Sequence, residues 1–592
     1  MSSSPIRSSF ALALALLVCT CGPSHKTSVD ASGGDDAALP TDTGPLPHTL
    51  VGLVVSPTNA LVQLDLNTAG TQGFTVQGTF ADGTTEDVTA QATWTVANPN
   101  VGAMTGATLA IPAFASATAE VSLIDATVGG MSGQAQITVV AYRSTGTAQD
   151  FFFILPYQDP MGPATKPLAF STQIPSLDVF FLMDTTGSMS GEIANLQSAL
   201  TTTVVPGVKA AVADSQFGVG ALEDFPVLPF GNTAGSACGR GGDAAPDQPF
   251  KLRQAITSTI ASVQTGVNSL SNGPTSPIGC GNDWPEGGLE AMYQIATGDG
   301  LTGPSPTSVP ANHTGVGGVG FRAGTMPVVV TITDASTHGV GETGVCSTTG
   351  EANAYSGAVA AVAHTRQQTK DALNGICARV VGIAAIQPTL AADCSPQSYL
   401  ADMATATGAR VPPAAWDVGA RPSGCAPNQC CTGANGTGQA TDGAGLCPVV
   451  FDVAPNGTGV GANIATGISL LARFATFDVP TDRNGVATDI AGNPLPTPHT
   501  TADFIKMVTP ASFLLPPPPP NLPNPTFDAT TFHNVTPGTT VSFTVNAFND
   551  FVPQTADAQI FKATIRVLAG GCTPLDQRDV LILVPPAPIG IQ

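Results

Sequence analysis

The segment Asp184-Thr185-Thr186-Gly187-Ser188-Met189 places a carboxylate and two alternate hydroxyls directly after the apolar run Leu177–Met183. Hard oxygen donors that close together suit Mg2+, Mn2+ or Ca2+ better than zinc. A loop whose hydroxyls merely cap the next helix would carry the same letters, so the motif alone does not decide between the two. Two other segments bear on the choice. MPVVVTITDASTH is a second apolar run, ending in Asp334, and NDWPEGG puts Glu286 at the mouth of a helix. Carboxylates and hydroxyls from three loops make a cation site if the fold brings those loops together.

The elements that must do so follow from an alternation running from about Asp178 to Phe477. LDVFFLM, FGVGAL, MPVVVTIT and ARVVGIAAI read as buried strands. EIANLQSALTTTVVPGV, GGLEAMYQIA, ANAYSGAVAAVAHTRQQTKDAL, SYLADMATAT and GANIATGISLLARF read as helices. Strands alternating with helices predict a doubly wound, Rossmann-like α/β domain over 178–477. Such sheets bind ligands beyond the carboxyl ends of their strands, where Asp184 and Asp334 fall.

PSLDVFFLMDTTGSM, QFGVGALEDFPVLPF, NDWPEGGLEAMYQIA and TITDASTH, in that order, resemble signatures of the A-type domain found in integrin β chains. The segment is thus similar to a von Willebrand factor A domain with a metal-ion-dependent adhesion site. The resemblance implies that Ser188, Thr186 and Glu286 contact an Mg2+ or Mn2+ ion directly. Asp184 and Asp334 would hold it through water or brace the inner ligands. A neighbouring cation, with Ca2+ as the candidate, would take Asp224, Asp283, Glu286 and the Pro285 carbonyl. The asparagine usual in that loop falls at Gly281, with Asn282 beside it. The family's third site needs two acids after the serine; Gly191 and Glu192 stand there, so that site is weakened or absent. Electrostatics favours two ions independently. Asp184, Asp334 and Glu286 around one divalent ion leave a ligand carboxylate repelled unless a second cation relieves it.

The flanks have a different grammar. Residues 48–142 alternate as short strands with Asp82-Gly83 as a hairpin turn and Trp94 in a strand. GTFADGTTEDVTAQATWTVANPNVG resembles the bacterial immunoglobulin-like group 2 domain, which implies an all-β Ig-like sandwich. Residues 478–592 return to a β pattern, a C-terminal β-sandwich resembling the hybrid domain that hosts the A domain in integrin β chains. If so, strands within 143–177, such as DFFFILPY and KPLAFST, complete it, and the A domain is an insertion.

At the N-terminus, Arg7 and the apolar run Phe10–Val18 lead into Cys19-Thr20-Cys21. That run is too short to span a bilayer. It resembles a bacterial lipoprotein signal over residues 1–21, acylated at Cys21 or alternatively at Cys19, with 22–47 as a flexible tether. Setting those two aside leaves ten of 12 cysteines, an even number that reads as disulfides in an exported chain. Cys425, Cys430, Cys431 and Cys447 lack paired C-x2-C spacing and read as disulfides rather than zinc ligands. Cys238 and Cys280 could pin the Gly-rich loop at 231–249.

Composition narrows the function classes. The 592 residues carry 20 basic and 42 acidic side chains, a formal charge of −22, which opposes binding to phosphate backbones. Only 10% are charged and 42% are hydrophobic, so real cores form under a surface rich in small polar residues. Seven histidines and no H-E-x-x-H, G-x-S-x-G or P-loop motif argue against an enzyme. The expected protein is a lipoprotein anchored to the bacterial envelope, in the outer membrane. It binds an extracellular or envelope protein, or a glycan, through a carboxylate on the cation. The alternative is an envelope scaffold whose A domain docks a permanent partner.

Overall fold

The computed structural model describes residues 48–588 apart from 117, 144–150, 234–244, 272–278, 280, 419, 517–521 and 523. Cys19, Cys21, the 22–47 tether, Cys238 and Cys280 therefore lie outside the described residues.

Residues 50–143 form three small sheets around their own core, in which Val55, Phe74, Leu109, Ile124 and Ile137 are buried. The Asp82-Gly83 turn joins the strands Thr75–Phe80 and Thr85–Asp87, with Gly83 at φ 83°, a left-handed value glycine adopts without a Cβ clash. Trp94 is only half-buried and packs at the margin of this core, 6.1 Å from Phe74.

A second β region draws strands from both sides of the central segment. Phe151–Ile154 pairs in parallel with Thr573–Val584, and Ala164–Ser171 pairs antiparallel with Thr540–Ala547. Thr540–Ala547 buries Val541, Phe543, Val545 and Ala547 and turns the intervening residues outward, the two-residue period of a strand with one face on a core. The chain thus leaves this region at Ser171 and re-enters it with the strand Phe477–Asp482. Tyr142 stacks on Phe152 at 4.1 Å, joining the first β region to the second.

Between Ser171 and Phe477 lies a six-stranded sheet. Its strands in chain order are β1 (Ser176–Asp184), β2 (Asp214–Leu222), β3 (Lys251–Thr257), β4 (Met326–Thr333), β5 (Arg379–Ala385) and β6 (Val450–Val453). Their spatial order is β3-β2-β1-β4-β5-β6, all parallel except the edge strand β3. Every residue of β1 and β4 is buried, as expected of central parallel strands covered on both faces. The covering helices are α1 (Ser190–Ala199), α2 (Val205–Ala211), α3 (Ile260–Asn268), α4 (Gly288–Thr297), α5 (Arg366–Gly375), α6 (Gln397–Ala406) and α7 (Val460–Phe474). A π-helical turn at Leu200–Val204 joins α1 to α2. Successive crossovers run one way from β1 and the other way to β4, so the strand order reverses between these two neighbours.

One expected helix is broken. The segment 352–373 is not continuous: a single turn at Gly357–Ala360 is followed by a restart at α5. Gly357 has a positive φ of 57°. Thr365 opens α5 through a reciprocal capping box with Gln368, which fixes a helix start in mid-segment. Strands β3 and β6 do not stand out in the sequence, one because its apolar residues neither cluster nor alternate and the other for its shortness.

Four disulfides join described cysteines: Cys346–Cys394, Cys377–Cys572, Cys425–Cys431 and Cys430–Cys447. Cys377 precedes β5 at the amino edge of the sheet and is bonded to the hairpin that ends the second β region.

Candidate metal centre

The register of the sheet assembles the site. Met183 pairs with Ile332 and Asp184 with Leu222, so Asp184 ends β1 flanked by Thr333 of β4 and by the first residues after β2. Thr333 Oγ1 donates to Asp184 Oδ2 at 2.7 Å. On the other oxygen, Asp184 Oδ1 accepts from the Thr186 amide and hydroxyl at 2.9 and 2.7 Å, folding the turn back over the strand end. Ser188 Oγ donates to Asp334 Oδ1 at 3.1 Å, and Gln387 Nε2 donates to Asp334 Oδ2 at 2.7 Å.

The third loop is stapled to the loop after β4. The Glu286 amide donates to the Ser336 carbonyl at 2.9 Å, and the His338 amide donates to the Glu286 carbonyl at 2.8 Å. On its other side, the Gly287 amide donates to the Glu223 carbonyl at 2.9 Å. That approach needs a glycine, since a Cβ on Gly287 would lie 2.6 Å from the same oxygen. Trp284 adds two anchors, its amide on Glu351 Oε2 and its indole on the Cys394 carbonyl, each at 2.8 Å.

The result is a depression of about 220 Å3 lined by Thr186, Ser188, Asp283, Glu286 and Asp334 among others. Glu286 is 4% exposed, and no donor reaches its Oε2. Burial, with Asp184 and Asp224 nearby, pushes its carboxyl well above the usual range. Burial likewise raises Asp184, with Asp334 adding to it, and pushes Asp283 up to about 8. The opposite end of β1 shows the contrast. Asp178, also buried, is met by the Arg322 guanidinium at 2.7 Å and is a paired structural charge. Buried oxygen donors with an orphan carboxylate oxygen fit a hard divalent cation.

Beside this depression, Asp224 follows β2 and is fully buried. Its Oδ1 accepts from Tyr355 Oη at 2.7 Å, and its Oδ2 lies 2.6 Å from His338 Nδ1. His338 Nε2 lies 3.0 Å from the Ala352 carbonyl and 3.5 Å from Asp283 Oδ2. With acceptors at both ring nitrogens, the ring binds best as an imidazolium. Burial opposes that charge, but Asp224 and Asp283 outweigh it and raise the His338 pKa. Ligand atoms of Asp224, Asp283 and His338 lie within 4.8 Å of one another. Asp283 Oδ1, like Glu286 Oε2, has no donor.

His338 and Tyr355 do not stand out in the sequence. His338 is the last letter of TITDASTH, and Tyr355 is hidden in a segment that reads as helix. Glu192 is buried at the first turn of α1, with its carboxyl pushed up to about 7 by burial. Where a preceding acid would stand, a Cβ on Gly191 would lie 2.5 Å from the Asn456 backbone.

Two solved structures align with most of the chain. A von Willebrand factor type A protein from Catenulispora acidiphila is 10% identical, with 74% of this chain and 72% of that chain covered at a TM-score of 0.25. The pilus adhesin SpaC from Lactobacillus rhamnosus GG, in an open conformation, is also 10% identical at a TM-score of 0.25. That alignment covers 76% of this chain but 51% of the adhesin, so the chain spans about half its length. No curated protein matches the chain. Residues 172–305 match the family model described as the integrin beta chain VWA domain, and the chain is a multidomain, strand-rich protein that carries a VWA domain.

Proposed function

We propose that the protein is an adhesion-type binding protein whose VWA domain captures a carboxylate of a protein or glycan ligand through a divalent cation. The observation that carries this reading is Glu286 Oε2, a buried carboxylate oxygen without a donor, facing a depression shared with Thr186, Ser188 and Asp334. Thr186, Ser188 and Glu286 would contact the ion, Mg2+ or Mn2+, and Asp184 and Asp334 would brace them. The ion supplies an open coordination position for the ligand's carboxylate. A second ion such as Ca2+ would take Asp283, Glu286 and the Pro285 carbonyl, with Asp224, whose two oxygens meet Tyr355 and His338, behind them.

We assign the site no catalytic step, because its carboxylates are committed to holding cations. Attachment at Cys21 to the bacterial envelope, with the outer membrane as the site, belongs to the same proposal. Among the described residues no helix is long and apolar enough to cross a membrane.

The test is calorimetric titration of Mg2+, Mn2+ and Ca2+ into chelator-stripped protein, against Asp184→Ala. Saturable binding that disappears in the variant supports the reading. Equal titration curves for the two proteins, or none in either, sink it.

A further inference from the structure

A cavity of about 810 Å3 opens at the carboxyl ends of β5 and β6, and Asp334 lines both it and the metal depression. That volume is within the usual range of ligand pockets, roughly 300–1,000 Å3. Its walls include Ile386, Pro388, Leu390, Ala401 and Val450. Among the described residues lining it, the only charged side chains are Asp334 and Asp452, with no Lys, Arg or His. Disulfides at Cys394 and Cys430 brace its wall, so the space is preformed.

Asp452 is the half-buried acid of this cavity. Gln397 Nε2 donates to its Oδ1 at 3.0 Å, and Gln439 Nε2 donates to its Oδ2. Gln397 Nε2 also reaches Gln439 Oε1 at 2.8 Å, which ties the two amides to each other. These donors aim the carboxylate but carry no charge to offset it. Burial accordingly pushes Asp452 up to about 6. A long basic side chain has the matching shape: an aliphatic stem for the apolar walls and a cationic head for the acid.

We propose that the cavity between Asp334 and Asp452 is a second subsite of the ligand-binding edge, taking a basic, aliphatic-stemmed side chain of the same protein ligand whose carboxylate engages the cation. This rests on the cation-dependent reading above. It makes the preferred ligand a segment with an acidic and a basic residue close together, so the −22 charge of the chain repels purely acidic ligands while this edge selects mixed ones.

The probes are acetylated, amidated octapeptides with one aspartate and one lysine separated by one to six positions in a Ser/Gly background. Companion sets replace the lysine by norleucine or the aspartate by asparagine. Binding is read by fluorescence anisotropy to the full chain in Mg2+ and in chelator. In the unmodified protein, replacing lysine by norleucine weakens the best peptide about tenfold, the scale of one charge-assisted contact. In Asp452→Asn the same replacement changes binding less than twofold, while Mg2+ titration is unchanged. Ala401→Lys, which fills the cavity from α6, abolishes the lysine preference and serves as the second variant. Binding that needs Mg2+ and aspartate but ignores lysine overturns the subsite and leaves the cation reading standing. No Mg2+- and aspartate-dependent binding of any peptide overturns both.

Discussion

His338 Nδ1 faces Asp224 Oδ2 at 2.6 Å with both side chains fully buried, so a titratable cation is built into the acidic edge beside the proposed cation ligands. Its removal leaves Asp224 buried beside Glu286 and Asp283 with the Tyr355 hydroxyl as its remaining side-chain donor. His338→Ala is expected to cost about 3–5 kcal/mol, the range for breaking a buried charge pair. The His338 pKa is raised in the fold, so its stabilisation is complete below the unfolded value near 6.5. It is lost as the pH rises through the folded value. Urea denaturation of both proteins from pH 5.5 to 9 should show the difference shrinking with pH, and a constant difference would mean a neutral ring.

The carboxylates, although of opposite charge, shift stability in the same direction with pH. Asp283 is held up to about 8, and Asp184 and Glu286 are raised, all chiefly by burial. The folded state then binds their protons more tightly than the unfolded chain does. Their contribution is most favourable at low pH and is lost as the pH climbs from about 4 through 8. In chelator the melting temperature should fall between pH 5 and 8, and millimolar Mg2+ with Ca2+ should flatten that fall. A melting temperature in chelator that rises over the interval would refute the assignment.

Glu286→Gln separates stability from binding. Removing an orphaned buried charge should raise the melting temperature in chelator at pH 8. It should also weaken Mg2+ binding at least tenfold, since a direct ligand is lost. Both effects are read on one sample, by melting and by calorimetry. A variant less stable than the parent in chelator contradicts the orphaned state of Oε2.

The Cys377–Cys572 bond closes 195 residues of sequence. Chain entropy alone assigns such a loop about 5 kcal/mol as an upper figure. The double variant Cys377→Ser with Cys572→Ser should lower stability to denaturant markedly. It should leave Mg2+ affinity unchanged, because the bond lies at the amino edge and the site at the carboxyl edge. Loss of cation binding in a folded double variant would show that the two edges are coupled.

How far the sequence reaches depends on what each element is made of. Leu177–Met183 and MPVVVTIT are mostly apolar runs, broken only by Asp178 and by threonines, and the structure buries every residue of both strands. Asp184 and Asp334 follow them directly, so their placement at one edge required only that the strands be neighbours. β3, Lys251–Thr257, is half-buried along its whole length and shows neither alternation nor an apolar run. Tyr355 is concealed because alanines on either side favour helix, while Gly357 and the Thr365 capping box interrupt it locally. His338 illustrates a different limit. An imidazole's role depends on what faces its two nitrogens, here Asp224 from after β2 and the Ala352 carbonyl, and no spacing in the sequence records that.

The chain crosses into the α/β body after Ser171, from the sheet that holds Thr540–Ala547. It leaves into the other sheet at Phe477, and Cys377–Cys572 adds a third link. Under the proposed function, a pull on a bound ligand would be shared among three covalent lines that end in both layers of the second β region. Those lines load long strand pairs, such as Gln559–Ala569 against Thr573–Val584, rather than a single terminal turn. The proposed grip at the carboxyl edge would thus be mounted on a base whose strands must shear past one another rather than unzip.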